Sequence, residues 1–386
     1  MQLSVIILNY NVRYFLELCV LSVQKAIQNL DAEIIVIDNN SSDDSCTMMK
    51  LRFPNIKLIE NKENYGFPKG NNIAVKEAKG QYICVLNPDT VVAEDTFEKL
   101  LAFAKSKTDL GIVGCKLIDG TGNFLPESKR GIPTPWVAFT KIFGLYKLFP
   151  KSSLFNKYYA KHLGENQTGK VDILVGAFMV MKRELYNQLE GFDENCFMYA
   201  DDIDLSYRVL LLNKQNYYFH ETTVIHYKGE STVKDATYMK HFREFMNFFY
   251  KKHFKQSVFF NLMARFGAFY FSVVKLFQGK SKVKISSSSY VLVSDNEKIR
   301  EKLESKLQKN VERTVLENGK TVFSQTFSKQ KNAEVILDTN YLSFTDAISF
   351  FETNKNKSFT FKLLPMHSNF IIGSNSSNER GEVIVI

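Results

Sequence analysis

The hydrophobic positions of this chain fall into short solid runs, separated by polar turns and by stretches of helical spacing. "LSVIILNYN" is a β-branched run that ends in polar residues. "VRYFLELCVLSVQKA" follows, with Leu16, Val20, Val23 and Ile27 on one helical face. "AEIIVIDNNSSDDS" is a second strand, closing on Asp38 and a polar turn. "IKLIENKENYGFPKGNNIAVKEAKG" gives a third strand, a glycine-containing turn and a helix. "QYICVLNPDT" is a fourth strand and "LGIVGCKLID", after another helix, a fifth. Solidly apolar strands alternating with helices predict a mostly parallel, Rossmann-like α/β sheet with helices on both faces. In such sheets ligands bind beyond the carboxyl ends of the strands. Three strands deliver polar groups there: Asn9 to Asn11, Asp38 to Asn40, and Asn87 to Asp89. A carboxylate at the end of a buried strand needs a partner, which makes Asp89 a candidate for chemistry.

Beyond the fifth strand the texture changes. From about Arg130 to Lys170 aromatics interleave with lysines, a pattern that fits either an amphipathic acceptor or membrane surface or an irregular insertion with solvated lysines. "VDILVGAFMVMKRELYNQLEGFDENCFMYADDIDLSYRVLLLN" returns to globular texture. It ends in a helix from about Ile203 with Leu205, Val209 and Leu212 inward. A strand and loop, "YYFHETTVIHYKGEST", come next. Residues 240–280 are strongly aromatic. Over 257–277 the polar residues draw a narrow stripe, and Arg265 near the centre counts against a membrane span and for an in-plane interfacial helix or internal packing. Residues 281–289 read as a linker, and 290–386 as a second, smaller α/β domain of no assignable role. Its "GSNSSNERG" reads as a surface loop, the alternative being a phosphate held on backbone N–H groups.

Composition adds three constraints. The 386 residues, 45% of them hydrophobic, suffice for a sizeable core and more than one domain. The net charge of +9 fits an anionic partner. The lysines are spread along the chain without a nucleic-acid-binding motif, so nucleic acid is not expected as that partner. The five cysteines form no CxxC pair and read as free thiols in a reducing compartment. The N-terminal apolar run is short and lacks a basic leader, which points to a cytoplasmic protein.

In order and spacing, "VIILNYN", "IIVIDNNSSDDS", "ENYGFPKGNN", "YICVLNPDT", "VGAFMVMKRE", "GFDENCFMYADDIDLSYR" and "VIHYKGES" match one pattern. Over about Leu3 to Ser231 the chain resembles family-2 glycosyltransferases of GT-A fold, most closely the rhamnosyltransferase-like branch. The resemblance divides the chain into a glycosyltransferase domain, 1–239, with a nucleotide-binding part to about 125 and an acceptor part from about 126.

The resemblance implies roles residue by residue. Asn9, Tyr10, Asn11, Asp38 and Asn40 stand on the nucleotide side, with Asp38 an acceptor for a pyrimidine N3–H or else a turn-former. Gly66, Lys69, Asn72 and Asn87 join them. The family usually carries an Asp-x-Asp metal motif. Here Asn87-Pro88-Asp89 leaves one carboxylate, Asp89, for Mg2+ or Mn2+ on the diphosphate. His226 approaches the metal, and Lys228 and Ser231 offset leaving-group charge. Of the acidic cluster Asp201, Asp202 and Asp204, the resemblance makes Asp202 the general base, with Asp201 orienting the acceptor or its loop and Asp204 capping the helix or pairing with Arg208. The implied reaction is inverting transfer of a sugar, with rhamnose a candidate, from a dTDP- or UDP-linked donor to a hydroxyl of a saccharide or polyprenol-linked acceptor. The implied place is the inner face of the cytoplasmic membrane, with peripheral membrane contact. The competing reading is a non-catalytic nucleotide-sugar-binding or scaffold protein, and the intact Asp89 and Asp202 oppose it.

Overall fold

The computed structural model describes residues 1–149, 152, 154–195, 201–228, 248–254, 289–315, 332–355, 357, 359–375 and 381–386. The expected interfacial helix, the loop residues 376–380 and nearly all of the expected linker lie outside these.

Strands β1 (Leu3–Asn9), β2 (Ala32–Asp38), β3 (Lys57–Glu60) and β4 (Tyr82–Leu86) pair in parallel in the order β3-β2-β1-β4. β8 (Phe178–Lys182) is antiparallel both to β4 and to β6 (Leu110–Ile118). β9 (Gln215–His226) runs parallel to β6, and β5 (Thr90–Val91) and β7 (Gly169–Val171) pair antiparallel with it. The sheet is therefore mostly parallel, as expected, with β8 inserted antiparallel and β5 and β7 antiparallel beside β9.

Alternation along the strands sends side chains to two layers. Leu3, Val5 and Ile7 of β1 pack in one core with helices α1 (Arg13–Ala26), α2 (Ser45–Arg52) and α4 (Thr96–Lys105). Ile6 and Leu8 join the opposite core, built with α3 (Gly66–Lys76), α7 (Arg183–Gln188) and α8 (Asp201–Leu211). Two expected helix faces need correction at their ends. Ile27 is the half-buried residue that closes α1. The last helix begins at Asp201 and stops at Leu211, because the chain turns at Asn213 with φ 57 to enter β9. Leu212 is therefore exposed rather than inward. Between β6 and β7 lie two short helices, α5 (Pro135–Ile142) and α6 (Leu145–Leu148).

A second sheet follows, ordered β11-β10-β12-β13-β14-β15. It comprises β10 (Ser289–Val293), β11 (Val311–Thr314), β12 (Ala333–Asp338), β13 (Phe359–Leu364), β14 (Phe370–Gly373) and β15 (Glu382–Val385), with helices α9 (Glu297–Leu307) and α10 (Phe344–Asn354). The first four strands are parallel and the last two antiparallel. One face packs on α9. The other face, with Phe344, Phe350 and Phe351 of α10, belongs to the same continuous core as β1 and α1 of the first sheet. Polar contacts reinforce this union. The Glu94 carboxylate accepts the Phe344 and Thr345 N–H groups at 2.7 and 2.8 Å. Lys116 pairs with Glu352 at 2.9 Å. Arg52 joins buried Glu17 and donates to the His367 carbonyl at 2.9 Å. Gly122, at φ 81, lies so close to the Phe351 carbonyl that a Cβ there would overlap it.

Candidate active site

The carboxyl ends of β2, β1 and β4 lie side by side, and each carries its polar residues to the same edge. Asn9 and Asp38 are register partners, and Asn9 Nδ2 donates to Asp38 Oδ1 at 2.7 Å. Asp38 also accepts from the Ser41 hydroxyl at 2.6 Å and the Ser41 N–H at 2.8 Å. Asp38 is thus the buried anchor of a turn, the structural role that its sequence context allowed. Asn11 and Asn40, at φ 55 and 60, shape the two loops above it, and Tyr10 stands exposed beside them. Asn39 ties this edge to the start of α3 through the Gly66 carbonyl at 3.0 Å. Gly66 turns the chain at φ 76. Gly70 instead packs α3 against Leu8. Lys69 lies 4.0 Å over the Tyr65 ring. Asn72 is engaged elsewhere: it binds the Tyr186 hydroxyl, both backbone groups of Phe192 and the Glu194 carboxylate. It staples α3 to the loop after α7.

The second group forms where β4 ends against β9. Thr90 is the register partner of His226, which sets the imidazole beside Asp89. His226 Nε2 lies 3.4 Å from both Asp89 Oδ1 and the Asn87 amide. Asp89 and His226 are buried, yet Asp89 Oδ1 and His226 Nδ1 lack hydrogen bonds. A buried carboxylate oxygen without a donor is costly unless a cation satisfies it. The donor set, carboxylate oxygen with imidazole and amide, fits one divalent ion that completes its shell from phosphate and water. Among the described residues no cluster of three or more acidic, His or Cys side chains could hold a metal alone. Next to His226, Lys228 at φ 57 forms an ion pair with Glu127. Burial pushes Glu127 upward, but the Lys228 ammonium holds it below the usual carboxylate range. Ser231 lies outside the described residues.

The third group is at the N-terminus of α8, whose first turn carries Asp201, Asp202 and Asp204. Asp202 Oδ2 accepts from Arg130 Nη2 at 2.6 Å and from the Gly176 N–H at 2.9 Å. Arg130 is largely enclosed, and its desolvation pushes its pKa down. Asp202, together with Tyr158 and Glu127, more than offsets this, and the guanidinium stays charged. Both bonds fall on Oδ2. Asp201 is buried beside it. Asp204 is fully buried and pairs with Arg208 at 2.6 Å, as expected, and with Lys252 and His253 at 2.9 and 2.7 Å.

The second and third groups meet across one peptide. The Asn87 N–H donates to the Ala177 carbonyl at 3.0 Å, and Gly176, one residue back, holds Asp202. Arg130 and Glu127 were not expected here. Arg130 and Glu127 sit where the sequence turns irregular, and nothing in their local pattern marks them.

The model of the Glycosyl transferase family 2 domain matches residues 4–190, which hold the first two groups apart from His226 and Lys228, and both groups that restrain Asp202. Residues 4–190, just under half of the chain, resemble glycosyl transferase family 2. The chain is 25% identical to the N-acetylglucosaminyl-diphospho-decaprenol L-rhamnosyltransferase of Mycobacterium tuberculosis over 213 residues, 52% of this chain and 68% of that one. It is 28% identical to rhamnosyltransferase WbbL of Escherichia coli over 223 residues, 53% of this chain and 78% of that one. The second sheet lies beyond the matched family domain. The mannosyltransferase PcManGT of Pyrobaculum calidifontis, solved with GDP-Man and Mn2+, is similar at 15% identity and TM-score 0.47 over 72% of this chain and 76% of that one, too slight a likeness to argue from. Among the described residues no helix is long and apolar enough to cross a membrane.

Proposed function

We propose that the chain is an inverting glycosyltransferase. It moves a sugar, rhamnose being the first to test, from a dTDP- or UDP-linked donor to a hydroxyl of a lipid-linked saccharide or surface-polysaccharide precursor, at the inner face of the cytoplasmic membrane. The observation that carries this reading is the restraint of Asp202: one oxygen is fixed by Arg130 and Gly176, one peptide away from the Asn87, Asp89 and His226 group.

In this reading Asp202 Oδ1 takes the acceptor hydroxyl proton as that oxygen attacks the anomeric carbon. The bond from that carbon to the diphosphate oxygen breaks, and the configuration inverts. Asp89, His226 and the Asn87 amide would hold a Mg2+ or Mn2+ ion, which when bound neutralises charge on the departing diphosphate. Lys228 stands beside this group, its ammonium fixed by Glu127. The relatives are named for rhamnosyl transfer, and one names a decaprenol-linked acceptor, which supports the choice of donor and acceptor class.

Calorimetric titration with dTDP, UDP and GDP, each with and without Mg2+ or Mn2+, tests it. Metal-dependent binding of dTDP or UDP is expected. Asp202→Asn should keep that binding while turnover falls about 100-fold or more. Binding with undiminished turnover in Asp202→Asn would remove Asp202 as base, and absence of nucleotide binding would overturn the reading.

A further inference from the structure

The segment that supplies Arg130 to Asp202 also builds a surface that the proposed reaction does not use. Residues 128–164 contain seven basic and no acidic residues. α5 and α6 carry an apolar face to the outside. Trp136 is 40% exposed, Leu148 70%, Phe149 51% and Leu154 53%. The rings are contiguous: Trp136 lies 5.6 Å from Phe139 and 5.9 Å from Phe155, which lies 5.2 Å from Phe149. The Trp136 indole N–H donates to the Leu154 carbonyl at 3.1 Å, which binds the two ends of the patch together. Lys147, Lys157 and Lys161 are exposed along the same segment. An apolar aromatic face bordered by cations alone repels basic or acid-poor protein surfaces and suits an anionic one with an apolar interior.

We propose that the α5–α6 face docks on an anionic lipid bilayer, with Trp136, Leu148, Phe149 and Leu154 in the headgroup region and the lysines on the lipid phosphates. The docked face connects to the base through buried contacts. Lys141 of α5 lies 3.4 Å over the Tyr158 ring, the Tyr158 carbonyl accepts from Gly131, and Gly131 follows Arg130. A polyprenol-linked acceptor entering from the bilayer would bring its saccharide to Asp202 with its lipid still in the membrane. That consequence rests on the proposed function; the docking does not.

Trp136 is the sole tryptophan of the chain, so its emission reports on this patch alone. With vesicles of phosphatidylglycerol and phosphatidylcholine, the full chain should float with the vesicles, and Trp136 emission should shift to the blue and resist acrylamide quenching. Phosphatidylcholine vesicles should do neither. Leu148→Ser combined with Phe149→Ser, and separately Lys147→Glu combined with Lys157→Glu, should each weaken vesicle binding about tenfold, with far-UV circular dichroism unchanged. Flotation with Trp136 emission unmoved would place the contact on another surface and overturn the proposal, as would failure to float or equal binding to neutral vesicles. Vesicle binding by a protein that binds no nucleotide would keep this inference and sink the glycosyl-transfer reading.

Discussion

At the scale of single residues, few atoms restrain Asp202. Arg130 Nη2 serves both Asp202 and the Leu174 carbonyl, from a planar, longer head whose reach and fixed orientation a lysine ammonium does not reproduce. Arg130→Lys should lower kcat about tenfold and Arg130→Met about 100-fold, with nucleotide affinity unchanged in calorimetry. Unchanged kcat in Arg130→Met would exclude a positioning role. Melting curves belong beside these assays, because an unpaired buried carboxylate costs about 3–5 kcal/mol. Asp204 makes a prediction in pH. Burial would raise it, but His253, Arg208 and Lys252 hold it down at about 2. A carboxylate depressed in the folded state adds stability above its unfolded pKa and loses it as pH falls through the folded one. Asp204 should therefore contribute about 2 kcal/mol above pH ~4, lost progressively toward pH ~2. Urea titrations at pH 6 and pH 3 should show a loss that Asp204→Asn does not share.

Elements explain what was legible in the sequence and what was not. β1, β2 and β4 were plain because strands buried on both faces must be apolar throughout, and their polar ends stand out by contrast. Asp202 was legible as part of an acidic cluster opening a helix. Arg130 was not: its significance comes from the bridge to Ile173, which brings residues far apart in sequence beside α8. Asn72 shows the reverse case, a polar residue near glycines that reads as ligand-facing and is spent on backbone groups of a neighbouring loop. α10 gives the element-scale test. Its first turn has orphan N–H groups. Ser343 satisfies Asp346, and Glu94, from the other sheet, satisfies Phe344 and Thr345. Glu94→Ala should cost about 1–2 kcal/mol in denaturant unfolding. A change near zero would mean that water replaces the carboxylate.

At the scale of the whole molecule, the two sheets share one apolar core. Tyr14 of α1 meets Phe370 of β14 at 4.8 Å. Unfolding should therefore be one cooperative event. Trp136 fluorescence, from the first sheet's side, and far-UV circular dichroism, from both, should give coincident denaturant transitions. Two separated transitions would show that the second sheet folds by itself. The change of texture after residue 280 suggested an independent domain, since linker composition reports where chain segments are solvated, not which faces are later covered.

The shared core also limits how this protein can change over generations. A bead-like module can be traded or lost at its linker, but here removal of the second sheet would uncover Tyr14 and take from Glu94 the N–H groups it binds. New acceptors or sugars are more readily reached by altering loops around the site than by shuffling whole segments, so its lineage should keep both sheets together even where the sugar it handles differs.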